Sequence, residues 1–413
     1  MATISARDRE ILRHRAKIQL DAAHSPRNEA ILEKWRAQAE GRRASPPVRL
    51  LFSNFRHEVI TPRLQCEGDA ARGIEASLLG TLVGRELFDD DTPIAPTFDL
   101  GWHTRVQPFG GEARITRAAG LNAQGFHIDP VIRDLAAELD TLRGGSFGVD
   151  REGTERRRAL LEDVLGDILP VRMVMGSLPG ALTNPLVHRM GMEAYYLAMY
   201  DCPDAVHQAM DMATSVYERY YDFLEAERLL LPTHGLSPLA QESFAFTDEL
   251  PADRVTRTRE CWGFLESQET TAISAEAFGE FVFPYQQRLV DRFGLLSYGC
   301  CERVDAIWPD YLSTWPRLRK LSVAPFNDEP RVGAYLRGRR IVYYSKPRAD
   351  LVTGEGPLND ATITADFKRI CEAARGCLLE IAQREVGTIF GDYERGRRYV
   401  RLAREAVDRH WRP

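Results

Sequence analysis

The feature that most constrains the fold of this chain is a rhythm of short apolar runs, each closing on polar residues. The runs are "VRMVMGSLPG" (171–180), "CWGFLESQE" (261–269), "LLSYGCCE" (295–302), "LRKLSVAP" (318–325), "RIVYYSKP" (340–347) and "CLLEIAQRE" (377–385). Their apolar centres have the length of buried strands. Apolar residues stand at successive positions, not alternating ones, as in sheets covered on both faces. Helical stretches lie between them. "SAEAFGEFVFPYQQRLVDRFG" starts at Ser274 and spaces Phe278, Phe281, Tyr285 and Leu289 along one face, and "ITADFKRICEAARG" spaces Phe367, Ile370 and Ala374. Alternating strands and helices predict a parallel sheet. No G-x-G-x-x-G or phosphate-binding G-x-x-x-x-G-K-[ST] occurs in the sequence, so the expectation is a closed (β/α)8 TIM barrel over 49–413.

Residues 1–48 read as an N-terminal helical arm. "SARDREILRHRAKIQLDAA" opens on Ser5 with Asp8 three positions on, and "SPRNEAILEKWRAQAEGRR" opens on Ser25 with Pro26 at the first helical position. The arm has too little apolar surface to fold alone and needs the main domain or a partner subunit.

The 413 residues carry a net charge of −6, with 44% apolar and 28% charged residues. That balance argues against a nucleic-acid binder. No apolar run approaches a membrane span, and the N-terminus lacks a signal-peptide core, so a cytoplasmic location is expected. Seven cysteines, an odd number, with no C-x-x-C pair, read as reduced thiols.

In a barrel the strand ends converge on one mouth, where active sites sit. Glu266 and Glu269 end one run, and Tyr298, Cys300, Cys301 and Glu302 the next. Asp328, Lys346 and Glu385 end three others. Glu266 directly follows "GFL" and is the better placed of its pair. The glutamates could instead pair with loop arginines. Lys346 could bind an anionic substrate group or reach to solvent. Asp328 could act at the mouth or cap the next helix. In regular strand geometry adjacent side chains point to opposite faces, so one of Cys300 and Cys301 would face the mouth. The "GSLPGALTNP" stretch could touch substrate, but turn chemistry explains its Gly and Pro residues equally.

The segments "ESQETTAISAEAFGEFVFPYQQRLVDRFG" and "YGCCERVDAIWPDYLSTWPRLRKLSVAPFNDEP" resemble, in order, segments of the uroporphyrinogen decarboxylase superfamily; the resemblance spans about residues 165–410. It implies a (β/α)8 barrel with the site at the C-terminal mouth, and a homodimer. The arginine-rich "RQAGRY"-type motif of true uroporphyrinogen decarboxylases is absent. The chain looks closer to the corrinoid-linked methyltransferases of that superfamily. Thiol-activating members hold zinc with His-x-Cys at this strand end and a later Cys. Here Tyr298 and Cys300 stand at the matching positions, so tyrosine replaces histidine. The resemblance leaves open a mixed set such as Cys300 or Cys301 with Glu302, Glu266 or Glu385.

Three functions follow as expectations. The first is a methyltransferase or demethylase moving a methyl group between a small substrate and a corrinoid carried by a partner protein, with zinc as a candidate metal. Its catalytic candidates are Glu266, Glu302, Tyr298, Asp328 and Lys346, and its metal candidates are Cys300, Cys301 and Glu385. The second is a cofactor-independent decarboxylase of a small anion, using Lys346, Arg348 and Arg303 as cations. The third is a non-catalytic ligand-binding barrel.

Overall fold

A computed structural model describes residues 4–111, 113–117 and 126–412. The described chain is mixed α/β. Seven strands form parallel ladders: β1 (Val48–Leu50), β2 (Leu178–Pro179), β3 (Trp262–Leu265), β4 (Leu295–Tyr298), β5 (Leu318–Val323), β6 (Val342–Ser345) and β7 (Leu378–Gln383). By compactness the chain divides into two units.

The first unit comprises described residues up to 102, 151–174 and 336 onward. Its helices Ala6–Ala23 and Pro26–Ala39 begin where the caps predict. The Ser5 side chain accepts the Asp8 N–H and the Ser25 side chain accepts that of Asn28. The arm is built into the core of this unit. Leu12 and Ala16 are buried with Ile74 and Leu78 of helix Asp69–Glu86 and with Leu161 and Val164 of helix Arg151–Leu165. Full burial of one leucine contributes about 1.5–3 kcal/mol, so the arm gains from the unit the apolar cover it lacks alone. β7 lies between β1 and β6, with Val48 opposite Ile381 and Val342 opposite Leu378. Every residue of β6 and β7 is buried.

The second unit comprises the described residues of 103–150 and 175–335. Its ladder runs β2-β3-β4-β5, with Gly263 opposite Leu178, Leu265 opposite Tyr298, and Tyr298 opposite Leu321. Three antiparallel pairs among the described residues belong to it as well, His103–Gln107 with Ser146–Asp150, Arg114–Arg117 with Phe126–Asp129, and Gly235–Pro238 with Phe244–Ala245.

Three expectations change in detail. A closed (β/α)8 barrel is not shown; what is shown is an α/β chain whose seven ladder strands fall three in one unit and four in the other. The run 171–180 is two strands rather than one. Val171–Met173 pairs with Phe98–Leu100, while Leu178–Pro179 pairs with β3. Pro179 has no N–H to give a ladder, which keeps this strand to two residues at the end of its run. The helix begun at Ser274 is broken into Ala275–Phe281 and Phe283–Val290, because Pro284 cannot sit inside a continuous helix. The Ser274 cap itself is present, accepting the Ala277 N–H at 3.2 Å. No described helix is long and apolar enough to cross a membrane.

Candidate active site

The second unit brings together the ends of β3 and β4. Leu265 and Tyr298 are register partners, so Glu266 and Gly299 leave the ladder side by side, and the Gly299 N–H donates to the Leu265 carbonyl at 2.9 Å. Gly299 sits at φ +101°. This is a region that L side chains rarely adopt, and it turns the chain out of the strand. The turn puts Cys300 and Cys301 on the same side, with their sulfurs 3.6 Å apart. That corrects the expectation of opposite faces, which holds only while the strand continues.

Glu302 ties the two strand ends. One carboxylate oxygen accepts the Ser267 N–H at 2.8 Å and the other accepts the Cys300 N–H at 2.6 Å. Its side chain lies in a residue only 2% exposed. Below it the Tyr298 hydroxyl and Ser267 Oγ share a hydrogen bond of 2.9 Å. Burial, reinforced by the charge of Glu302, pushes the Tyr298 phenol well above its ordinary range, so it stays protonated.

Glu266 is 6% exposed. One carboxylate oxygen accepts the Gln268 N–H at 3.0 Å, and its backbone carbonyl accepts from Gln286 Nε2 at 3.0 Å. Burial, and then the charges of Glu269 and Glu302, raise its pKa well above the ordinary carboxylate range. Glu266 thus holds its proton to higher pH than an ordinary carboxylate.

Glu269 is held from a segment that the sequence reading left undecided. Thr183 Oγ1 donates to one of its oxygens at 2.7 Å and Asn184 Nδ2 to the other at 2.8 Å. The Tyr196 hydroxyl donates to its backbone carbonyl at 2.8 Å. Thr183 and Asn184 open the helix Thr183–Met190. Their part is tertiary, and only the "TNP" polarity beside a turn hints at it. Asn184 also lies 3.4 Å from the ring of His188, whose basicity burial lowers. Tyr195 is fully buried near Glu269, and its hydroxyl has no hydrogen-bond partner.

The other candidates fall elsewhere. Asp328 is exposed and accepts the Arg331 N–H at 3.1 Å, the geometry of a cap on the helix Glu329–Leu336. Lys346, 5% exposed, follows β6 in the first unit. Glu385, also in the first unit, sits at φ +58°, accepts from Asn54 Nδ2 at 3.2 Å and approaches Arg384 at 3.4 Å. The two arginines proposed as cations each lie against an aspartate two residues on. Arg303 Nη2 is 2.8 Å from Asp305, and Arg348 Nε is 3.0 Å from Asp350.

The residues at the β4 end do not present a ligand set for zinc. Among the described residues no three His, Cys, Asp or Glu side chains are grouped to hold a metal ion. Both oxygens of Glu302 are occupied by peptide N–H groups, and Tyr298 is a buried phenol with its pKa raised.

No protein-family profile matches the chain, and no curated protein matches it. Among solved structures it is similar to a methyltransferase from Methanosarcina mazei. That match has a TM-score of 0.51 and 14% identity, and covers 92% of this chain and 98% of the other. At that identity the likeness is one of fold.

Proposed function

We propose that the chain is a methyl-transferring enzyme of the uroporphyrinogen decarboxylase-like kind, which moves a methyl group between a small substrate and a corrinoid held by a separate protein. The observation that carries this reading is Glu266, a carboxyl buried at a strand end beside two further glutamates, with its pKa raised by that burial. The fold likeness to a protein named a methyltransferase agrees with it.

Methyl transfer from an oxygen, sulfur or nitrogen atom is slow because the demethylated atom leaves as a strong base. An acid placed against that atom removes the difficulty. Glu266 holds a proton for the leaving heteroatom and takes one back in the reverse direction. Glu269, fixed by Thr183 and Asn184, and Glu302, fixed by two peptide N–H groups, stand beside it and together with burial raise its pKa. The corrinoid supplies the centre that accepts or gives up the methyl group. The homodimer implied by the resemblance belongs to the same proposal.

The test is methyl transfer to reduced cobalamin, followed by absorbance, with a panel of methyl ethers, methylated thiols and methylamines. Glu266→Gln is expected to lower the rate about 10²–10⁴-fold with its fold intact. No transfer from any member of the panel, or an unchanged rate in Glu266→Gln, would overturn the proposal.

A further inference from the structure

Seven cysteines are distributed very unevenly in their chemistry. Cys66, Cys261 and Cys371 are buried, and burial pushes each thiol up to about 12; Cys377 is likewise pushed up to about 11. A thiol with so little thiolate is a poor nucleophile and a poor ligand. Cys202 is half-buried, with its thiol also raised by burial. Cys300 and Cys301 share the exposure of Cys202 but differ from the other five in lying side by side. Both are half-exposed, and their sulfurs are 3.6 Å apart, van der Waals contact for heavy atoms.

The backbone holds this pair in place. Gly299 turns the chain at φ +101°, Glu302 accepts the Cys300 N–H at 2.6 Å, and Ser322 Oγ donates to the Cys300 carbonyl at 3.2 Å. Both sulfurs therefore point the same way with little freedom lost on binding. Direct oxidation to a disulfide is disfavoured for neighbours in sequence. Their Cα atoms are about 3.8 Å apart, short of the roughly 4.4–6.8 Å usual for a disulfide. An atom that bridges the sulfurs relieves that strain, and a soft, thiophilic atom suits thiolate donors best.

We propose that Cys300 and Cys301 form a two-thiol binding site for trivalent arsenicals. The reaction conserves oxidation state. With an arsenoxide, two As–S bonds form, the As=O bond breaks, and the oxide oxygen leaves as water with the two thiol protons. Arsenic remains trivalent, and no oxidant or reductant is consumed. The site is independent of the methyl-transfer reading, although Cys301 lies within the field of Glu266.

The probe is phenylarsine oxide added to the full-length chain, with binding followed by calorimetry and intact mass. The expected result is one arsenical per chain, displaced by 2,3-dimercaptopropanol but not by an equal concentration of 2-mercaptoethanol. Cys300→Ser and Cys301→Ser are each expected to weaken binding at least 100-fold, while Cys202→Ser leaves it unchanged. Circular dichroism of each variant checks that its fold is intact. Undiminished binding in the Cys300→Ser/Cys301→Ser double variant, or no binding to the wild-type chain, would overturn the proposal.

Discussion

Glu266 gives a prediction about stability that needs no substrate. An acid whose folded-state pKa is raised holds its proton more tightly folded than unfolded. The ordinary glutamate value of 4.5 marks where the unfolded chain loses that proton. Below that pH both states are protonated and folding carries no penalty from this group. As pH rises from there, the unfolded chain releases the proton and the folded chain keeps it, so stability falls until the folded pKa is passed. The slope is at most about 1.4 kcal/mol per pH unit for one proton. Between pH 5.5 and 7.5 the wild type therefore loses up to about 2.7 kcal/mol through this group, for as long as the folded chain retains the proton. Glu266→Gln removes the titration and keeps the shape and the acceptor oxygen for the Gln268 N–H. Urea unfolding of both proteins at several pH values, followed by far-ultraviolet circular dichroism, isolates the effect because the other carboxylates titrate in both. The variant should gain on the wild type steadily as pH rises. A pH-independent difference, or one that shrinks as pH rises, would refute the assignment of a retained proton to Glu266.

Two further predictions concern packing. Gly299→Ala forces a side chain into φ +101° and sets its Cβ 3.2 Å from that of Ser322, so it should cost about 1–3 kcal/mol by urea midpoint; an unchanged midpoint would contradict the turn geometry. In the arm, Leu12→Ala should cost about 2–5 kcal/mol, because it empties part of a buried cluster. Arg13→Ala should cost far less despite its 2.6 Å bridge to Asp167, because solvent screens the pair; a reversed order in thermal melts would show that the arm is held by charge rather than burial.

The parts of this molecule legible in the sequence are those settled within a few residues. Ser5, Ser25 and Ser274 cap helices because their signal lies three positions away. The ladder strands are legible because burial on both faces demands continuous apolar runs. Which strands pair, and whether the set closes, depends on distant partners, so the eight-stranded closure drawn from the rhythm alone is not shown. The site divides the same way. Glu266 at a strand end could be read directly. The grip of Thr183 and Asn184 on Glu269 joins residues more than eighty positions apart and leaves no local trace. The shared side of Cys300 and Cys301 follows from one glycine, which strand periodicity does not anticipate. The pairing of Arg303 with Asp305 and of Arg348 with Asp350 stood two residues away in plain view, hidden by the assumption that basic residues at strand ends serve a substrate.

Glu302 has a consequence for how this site can be altered. Its two oxygens serve two successive strand ends, with no second carboxylate sharing the task in either bond. The β3 and β4 ends thus form one hinge-free block, and Glu266 inherits its position from that block. Thr183 and Asn184, which open the helix Thr183–Met190, hold Glu269 beside that block, so exchange of either loosens the carboxylate that acts on Glu266. A designer seeking new substrates would leave Thr183, Asn184 and the two strand ends untouched.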